Sequence, residues 1–123
     1  MTKKILLIED EAELRETMVE YLMGEKFEVV AAIDGQSGLE MTQKELPDLI
    51  LLDIILPKMD GFTVLEEIKK NEKTRHIPVI LLTNLESMEN IQKAIEKGAY
   101  AYLIKADFKL EEVAKKIKEV LKM

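Results

Sequence analysis

The sequence has no cysteine and no tryptophan, one histidine, and only three prolines and five glycines in 123 residues. Without cysteine there is no disulfide scaffold, no thiolate zinc site and no cysteine nucleophile. A single imidazole, His76, rules out a multi-histidine metal centre and leaves little for a histidine-based triad. It falls in the segment Thr74-Arg75-His76-Ile77-Pro78, where a solvated loop is expected. The prolines and glycines are isolated, so no hinge, linker or low-complexity tract divides the chain. Long apolar runs are also missing. The longest, Leu49–Leu56, is broken by Asp53 and falls well short of the ~20 residues of a membrane span. No basic-then-apolar segment opens the sequence, so a cytoplasmic location without a membrane partner is expected. Chemistry, if any, must run on carboxylates, hydroxyls and lysines.

Those groups are abundant. There are 24 Asp and Glu against 18 Lys and Arg, giving a formal net charge of −6. Residues 1–61 carry 14 acids and 6 bases, whereas residues 62–123 carry 10 acids and 12 bases. A net negative surface repels phosphate backbones, which disfavours direct nucleic-acid binding. An acidic half is compatible with a cation site, although a solvated acidic surface explains most such charge. At 47% hydrophobic residues the chain can bury a core, and its length fits one domain over residues 1–123.

Short apolar runs alternate with longer amphipathic stretches. The runs are Ile5–Ile8, Phe27–Ala32, Leu49–Leu52, Val79–Leu82 and Ala99–Ile104. Continuous apolarity over four to six residues predicts strands covered on both faces. Helical spacing groups Leu14, Met18, Tyr21 and Leu22, then Met88, Ile91 and Ile95, then Leu110, Val113, Ala114, Ile117 and Leu121. Asp34-Gly35 and Asp60-Gly61 offer caps before the second and third helices, and Gly98 a C-terminal stop for the fourth. Five strands alternating with five helices predict an α/β fold with a parallel sheet and helices on both faces.

The apolar runs end in polar residues of a particular kind. Glu9-Asp10 come after the first, Asp53 after the third, Thr83-Asn84 after the fourth and Lys105 after the fifth. In a parallel sheet these carboxyl ends share one edge, where open α/β sheets bind ligands. Asp53 is flanked by Leu49–Leu52 and by Ile54, Ile55 and Leu56, so an unpaired charge there is costly. It must be protonated, paired with Lys105, or held near a metal. Glu9 and Asp10 add like charge unless a cation neutralises the group. Oxygen-only ligands fit a hard cation such as Mg²⁺. A carboxylate nucleophile, a divalent cation and a Lys/Thr pair suit phosphoryl transfer to an aspartate.

Over nearly its whole length the sequence resembles a response-regulator receiver domain of the CheY-like family. The matching residues are Glu9-Asp10, the segment Leu51–Gly61 with Asp53, Pro57 and Gly61, then Thr83, Tyr102 and Lys105. The resemblance implies a flavodoxin-like (βα)5 fold, a doubly wound three-layer α/β/α arrangement with strand order 2-1-3-4-5. It implies that Asp53 accepts a phosphoryl group from a phosphohistidine of a sensor histidine kinase or histidine phosphotransfer protein. Mg²⁺ would be held by Asp10, Asp53 and the backbone carbonyl of Ile55, with Glu9 acting through a water. Lys105 and Thr83 would bind phosphoryl oxygens. Thr83 and Tyr102 would form the switch that reshapes the face of the fourth helix, fifth strand and fifth helix, read by a downstream protein. The protein would be a switch and not an enzyme, assisting only its own phosphorylation and dephosphorylation.

Three departures from the family pattern carry expectations. Ala106 stands where the family has proline, and Lys105-Ala106-Asp107-Phe108 is one residue longer, so an altered loop is expected. Ile55 and Leu85 occupy the positions two beyond Asp53 and Thr83, where aliphatic side chains cannot orient an attacking water; slow self-dephosphorylation is expected. Tyr100-Ala101 replaces an Asp-Asp pair common in receivers that dimerise, and Asn84 is bulkier than usual, so a monomer or weak dimer is expected. Other readings remain open. One is a receiver-like interaction module that is never phosphorylated. Another is an aspartyl-nucleophile phosphatase, disfavoured because Ile55 replaces the second aspartate that would serve as acid and base. A flavin-nucleotide site lacks the expected Ser/Thr/Gly-rich phosphate loop after the first strand. A basic fifth helix ending the sequence leaves either a stand-alone receiver or a piece of a longer regulator.

Overall fold

A computed structural model of the chain describes residues 2–83, 88–105 and 109–123. Five strands, β1 (Lys4–Ile8), β2 (Glu28–Ala32), β3 (Leu49–Asp53), β4 (Val79–Thr83) and β5 (Ala101–Ile104), alternate with five helices. The helices are α1 (Ala12–Gly24), α2 (Gly35–Glu45), α3 (Gly61–Lys70), α4 (Met88–Glu96) and α5 (Leu110–Val120). The strands form one parallel sheet in the order β2-β1-β3-β4-β5, the doubly wound CheY-like order that the family resemblance implied.

Pleating divides the core into two layers. Ile5 and Leu7, Leu49 and Leu51, and Ile80 and Leu82 pack with Met18, Leu22, Val113 and Ile117 of α1 and α5. Leu6, Ile8, Ile50, Leu52, Val79 and Leu81 pack with Val64, Leu65 and Ile68 of α3 and Ala94 of α4 on the other side. Both layers are fully apolar, which is why β1, β3 and β4 read as continuous hydrophobic runs.

The helix starts obey the expected cap chemistry. Asp34 accepts a hydrogen bond from the Ser37 amide at 2.7 Å, and Asp60 accepts one from the Thr63 amide at 3.0 Å. Gly98, at φ 107°, closes α4 with amide bonds from Gly98 to Ile95 O and from Ala99 to Ala94 O.

Three expectations need correction. β2 and β5 are the two edges of the sheet, with Ala31 and Tyr102 exposed and Val29, Val30 and Leu103 half-buried, so neither is covered on both faces. Phe27 and Ala99 precede their strands, because their amides close the preceding helices on Leu22 O and Ala94 O. In α4 the buried position is Ala94 (1% exposed), whereas Ile95 is 45% exposed. A small residue lets this helix approach the core, and hydrophobicity alone misplaced the stripe by one position. The Met88 side chain lies outside the described residues.

Candidate functional site

The site begins with strand parity. Glu9, Asp53 and Lys105 each continue the register of residues that face the α1/α5 layer: Ile5 and Leu7, Leu49 and Leu51, Ala101 and Leu103. Parallel pairing then brings the three carboxyl ends to one edge. Lys105 Nζ lies 2.8 Å from Asp53 Oδ2 and 2.6 Å from Glu9 Oε1. Pairing with Lys105, one of the alternatives the sequence left for Asp53, is present in the structure. Asp53 is 4% exposed and its Oδ1 accepts from the Ile55 amide at 3.2 Å.

Glu9 is fully buried. Its Oε2 accepts from the Glu11 amide at 3.1 Å. Its Oε1 has the ammonium of Lys105 nearby but no hydrogen bond in good geometry, alone in this among buried side-chain atoms of the described residues. Burial raises the Glu9 pKa above the ordinary carboxylate range, against the pull of Lys105 and the Glu11 amide. For Lys105 burial works to lower the pKa, but its contacts with Asp53 and Glu9 outweigh it, and the net direction is upward. The ammonium is therefore held charged between two carboxylates.

Asp10 is exposed at the mouth of this arrangement. One carboxylate oxygen from each of Glu9, Asp10 and Asp53 lies within 4.8 Å of the others. Three carboxylates against one ammonium leave uncompensated negative charge. Three carboxylate donors this close together, an all-oxygen set, fit a hard divalent cation such as Mg²⁺. Asp10, Glu11, Asp53, Ile55 and Lys105 line a cleft of about 270 Å³. That volume is below the ~300–1,000 Å³ of organic-ligand pockets and suits small ions. Larger hollows of about 450 Å³ beside α1 and β2, and about 520 Å³ between α1 and α5, gather no buried acids. Size alone does not mark the site.

Thr83 ends β4, is 1% exposed, and accepts the Lys105 amide on its carbonyl at 2.8 Å. Its strand register is opposite to that of Asp53 and Lys105. Tyr102 lies in β5 opposite Leu81 and is 39% exposed, and Ile55 is 61% exposed. His76 is exposed, as expected. Asn84, Leu85 and the segment 106–108, which carried expectations about switch bulk, dephosphorylation and loop shape, lie outside the described residues. Two participants escaped the sequence reading. The Glu11 amide has no side-chain signature. Arg15 has one: it is the only base in α1, close to the helix N-terminus, where a cation is disfavoured.

Comparison with known proteins gives this cluster its context. PleD, a response regulator of Caulobacter vibrioides, is 42% identical over 106 residues, covering 85% of this chain but 23% of PleD. RpaA, a DNA-binding transcriptional regulator of Synechocystis, is 34% identical, and the chain spans 49% of it. The chain thus covers half or less of these curated relatives. A CheY-like receiver domain from Methanospirillum hungatei superposes with a TM-score of 0.92 at 31% identity, covering 99% of this chain and 95% of its own. The receiver domain of a sensor histidine kinase from Pseudomonas aeruginosa matches with a TM-score of 0.87 at 27% identity, covering 97% of each chain. That domain was solved with magnesium coordinated in its active-site cleft. The family model of the response regulator receiver domain matches residues 5–118, from the first core residue of β1 almost to the end of α5, and on that match the chain belongs to the receiver domains of two-component signalling.

Proposed function

We propose that residues 1–123 form a single phosphoacceptor switch in which Asp53 takes a phosphoryl group from the phosphohistidine of a sensor kinase or phosphotransfer protein. The observation that carries this reading is Lys105, held 2.8 Å from Asp53 and 2.6 Å from Glu9 at the mouth of an acidic cleft. An Asp53 carboxylate oxygen attacks phosphorus, the P–N bond to the donor imidazole breaks, and the imidazole leaves with the bond electrons. Lys105 already sits against the accepting carboxylate, so its ammonium can follow the charge onto the new phosphoryl oxygens. Thr83 offers a hydroxyl from the neighbouring strand end. Asp10, Asp53 and the Ile55 carbonyl would hold Mg²⁺, with Glu9 acting through a water, and the ion would supply charge neutralisation for phosphoryl oxygens.

The output is a shift in population on the face formed by α4, β5 and α5. Tyr102 on that face is 39% exposed and is the aromatic assigned to turn inward when Thr83 moves. A downstream protein reads this face. The reading includes a cytoplasmic setting, no direct nucleic-acid contact, no catalysis on other molecules, and a monomer or weak dimer. No helix among the described residues is long and apolar enough to cross a membrane.

The test is labelling by a small-molecule phosphodonor in the presence of Mg²⁺. Wild type is expected to gain one phosphoryl group, and Asp53→Asn none while keeping its fold. An unlabelled wild type would leave the unphosphorylated interaction module as the reading. The exposed aliphatic Ile55 at the cleft also sets the lifetime: the phosphorylated form is expected to outlast minutes, and decay within seconds would refute this.

A further inference from the structure

Arg15 reaches back from α1 to the turn that carries the acidic pair. Its Nη1 donates to the backbone carbonyl of Glu9 at 3.0 Å and to that of Asp10 at 3.2 Å. The Glu9 amide donates to Ala32 O, continuing the β1–β2 ladder by one step, while its carbonyl accepts from the guanidinium. The Arg15 amide meanwhile donates to Glu11 O in the first turn of α1. One side chain thus ties the end of β1 to the start of α1. Arg15 also lines a hollow with Val19, Met23 and Ala31.

We propose that Arg15 is a positioning residue for the cation site: by clamping the Glu9 and Asp10 carbonyls it fixes the strand-to-helix turn. That turn must send two successive side chains to different places, Glu9 into the interior and Asp10 to the exposed mouth. Loss of the clamp frees the peptide between them to rotate, and the two carboxylates no longer converge with Asp53. The inference rests on the reading of Glu9, Asp10 and Asp53 as a divalent-cation site. It goes further in assigning a role to a base that touches none of the three carboxylates in the structure's hydrogen bonds or ion pairs.

A charge effect and a positioning effect have opposite signs here. As a mere positive charge beside an acidic cluster, Arg15 would weaken cation binding, and removing it would tighten binding. As a clamp it strengthens binding, and removing it loosens the site. Groups behind metal ligands typically contribute ~10–100-fold to affinity.

The experiment is calorimetric titration of the full chain with Mg²⁺ alone, together with metal-free thermal melts and amide exchange at Glu11. Wild type, Arg15→Met, Arg15→Gln and Arg15→Lys are compared. The clamp predicts Mg²⁺ affinity reduced roughly 10-fold or more in the Met and Gln variants. Faster exchange of the Glu11 amide, which reports on the Glu9 carboxylate, should accompany it. Lysine keeps the charge but carries its donors on a flexible stem without the planar guanidinium, so it should restore affinity only in part. Unchanged or tighter Mg²⁺ binding in Arg15→Met overturns the proposal, as does a lower melting temperature with affinity intact. If one variant fails to fold, the other decides. Failure of the underlying site reading looks different: wild type itself would then bind no Mg²⁺, and both readings fall.

Discussion

At the scale of single residues, the fold depends on carboxylates that are satisfied locally and on acids that are not. Asp34 belongs to the first kind. It is 6% exposed, caps α2 through the Ser37 amide, and has Lys58 Nζ at 3.6 Å. Hydrogen bonds from Ser37 hold its pKa below the usual carboxylate range, with Lys58 adding to the effect. A carboxylate lowered on folding stabilises above its unfolded pKa, near ~3.9, and that contribution disappears as pH falls through the folded value. Asp34→Asn keeps an acceptor for the cap and removes the titration. Urea melts at pH 7 and pH 3 should show wild type more stable than the variant at pH 7, with the gap closing at pH 3. A pH-independent gap would remove the electrostatic account. Asp60 gives the simpler case: it caps α3 at the surface, and Asp60→Ala should lower stability by about 1 kcal/mol.

At the scale of elements, contact distances decide what the glycines are for. A Cβ at Gly61 would stand 2.5 Å from Asp53 O and 2.5 Å from Ile54 Cα, both backbone atoms that cannot swing aside. The start of α3 is thereby pressed against the end of β3. Gly61→Ala should cost about 3 kcal/mol, the upper end for overpacking, and should reduce labelling of Asp53 as well as stability. The three atoms nearest to a Cβ at Gly38 all belong to the Ile8 side chain, the closest at 2.6 Å. Gly38→Ala should cost about 1–2 kcal/mol, and adding Ile8→Val should recover part of it, read from denaturant midpoints in a double-mutant cycle. This contrast also shows where sequence is legible. β1, β3 and β4 were plain in it because burial on both faces leaves only apolar residues. The strand ends, with Glu9, Asp53 and Lys105, were plain because a charge placed directly after a buried run needs a partner or a ligand to remain there. The α4 stripe was not, because Ala94 and Ile95 exchange roles through the closeness of packing, which hydropathy does not encode. Nor was the Arg15 clamp, whose partners are carbonyls that every residue possesses.

At the scale of the whole molecule, three of the 24 acids converge at one edge of the sheet. The edge of the sheet holds three carboxylates within 4.8 Å and one ammonium, so the cation-free protein stores repulsion at its own site. Burial first, and the Asp53 charge to a smaller extent, raise the Glu9 pKa. Asp10 is the acid that can be neutralised without breaking an ion pair of the described residues, since Lys105 contacts Glu9 and Asp53. Two like charges ~4 Å apart repel by about 1 kcal/mol even in water. Asp10→Asn should therefore raise the metal-free melting temperature by roughly 3–6 °C for a domain of this size. The same change should abolish stabilisation by the cation. Wild type at ~100 times its dissociation constant for Mg²⁺ gains about 2.7 kcal/mol, or roughly 10 °C, whereas the variant should gain little. The two melting curves should cross over as Mg²⁺ is added, the variant ahead without it and wild type ahead with it. Thermal melts over a Mg²⁺ series test this directly. A variant less stable than wild type without metal would show that Asp10 supports the fold. A variant still stabilised by Mg²⁺ would place the cation elsewhere. The crossing itself would mean that the acidic cluster is retained for binding at the expense of stability.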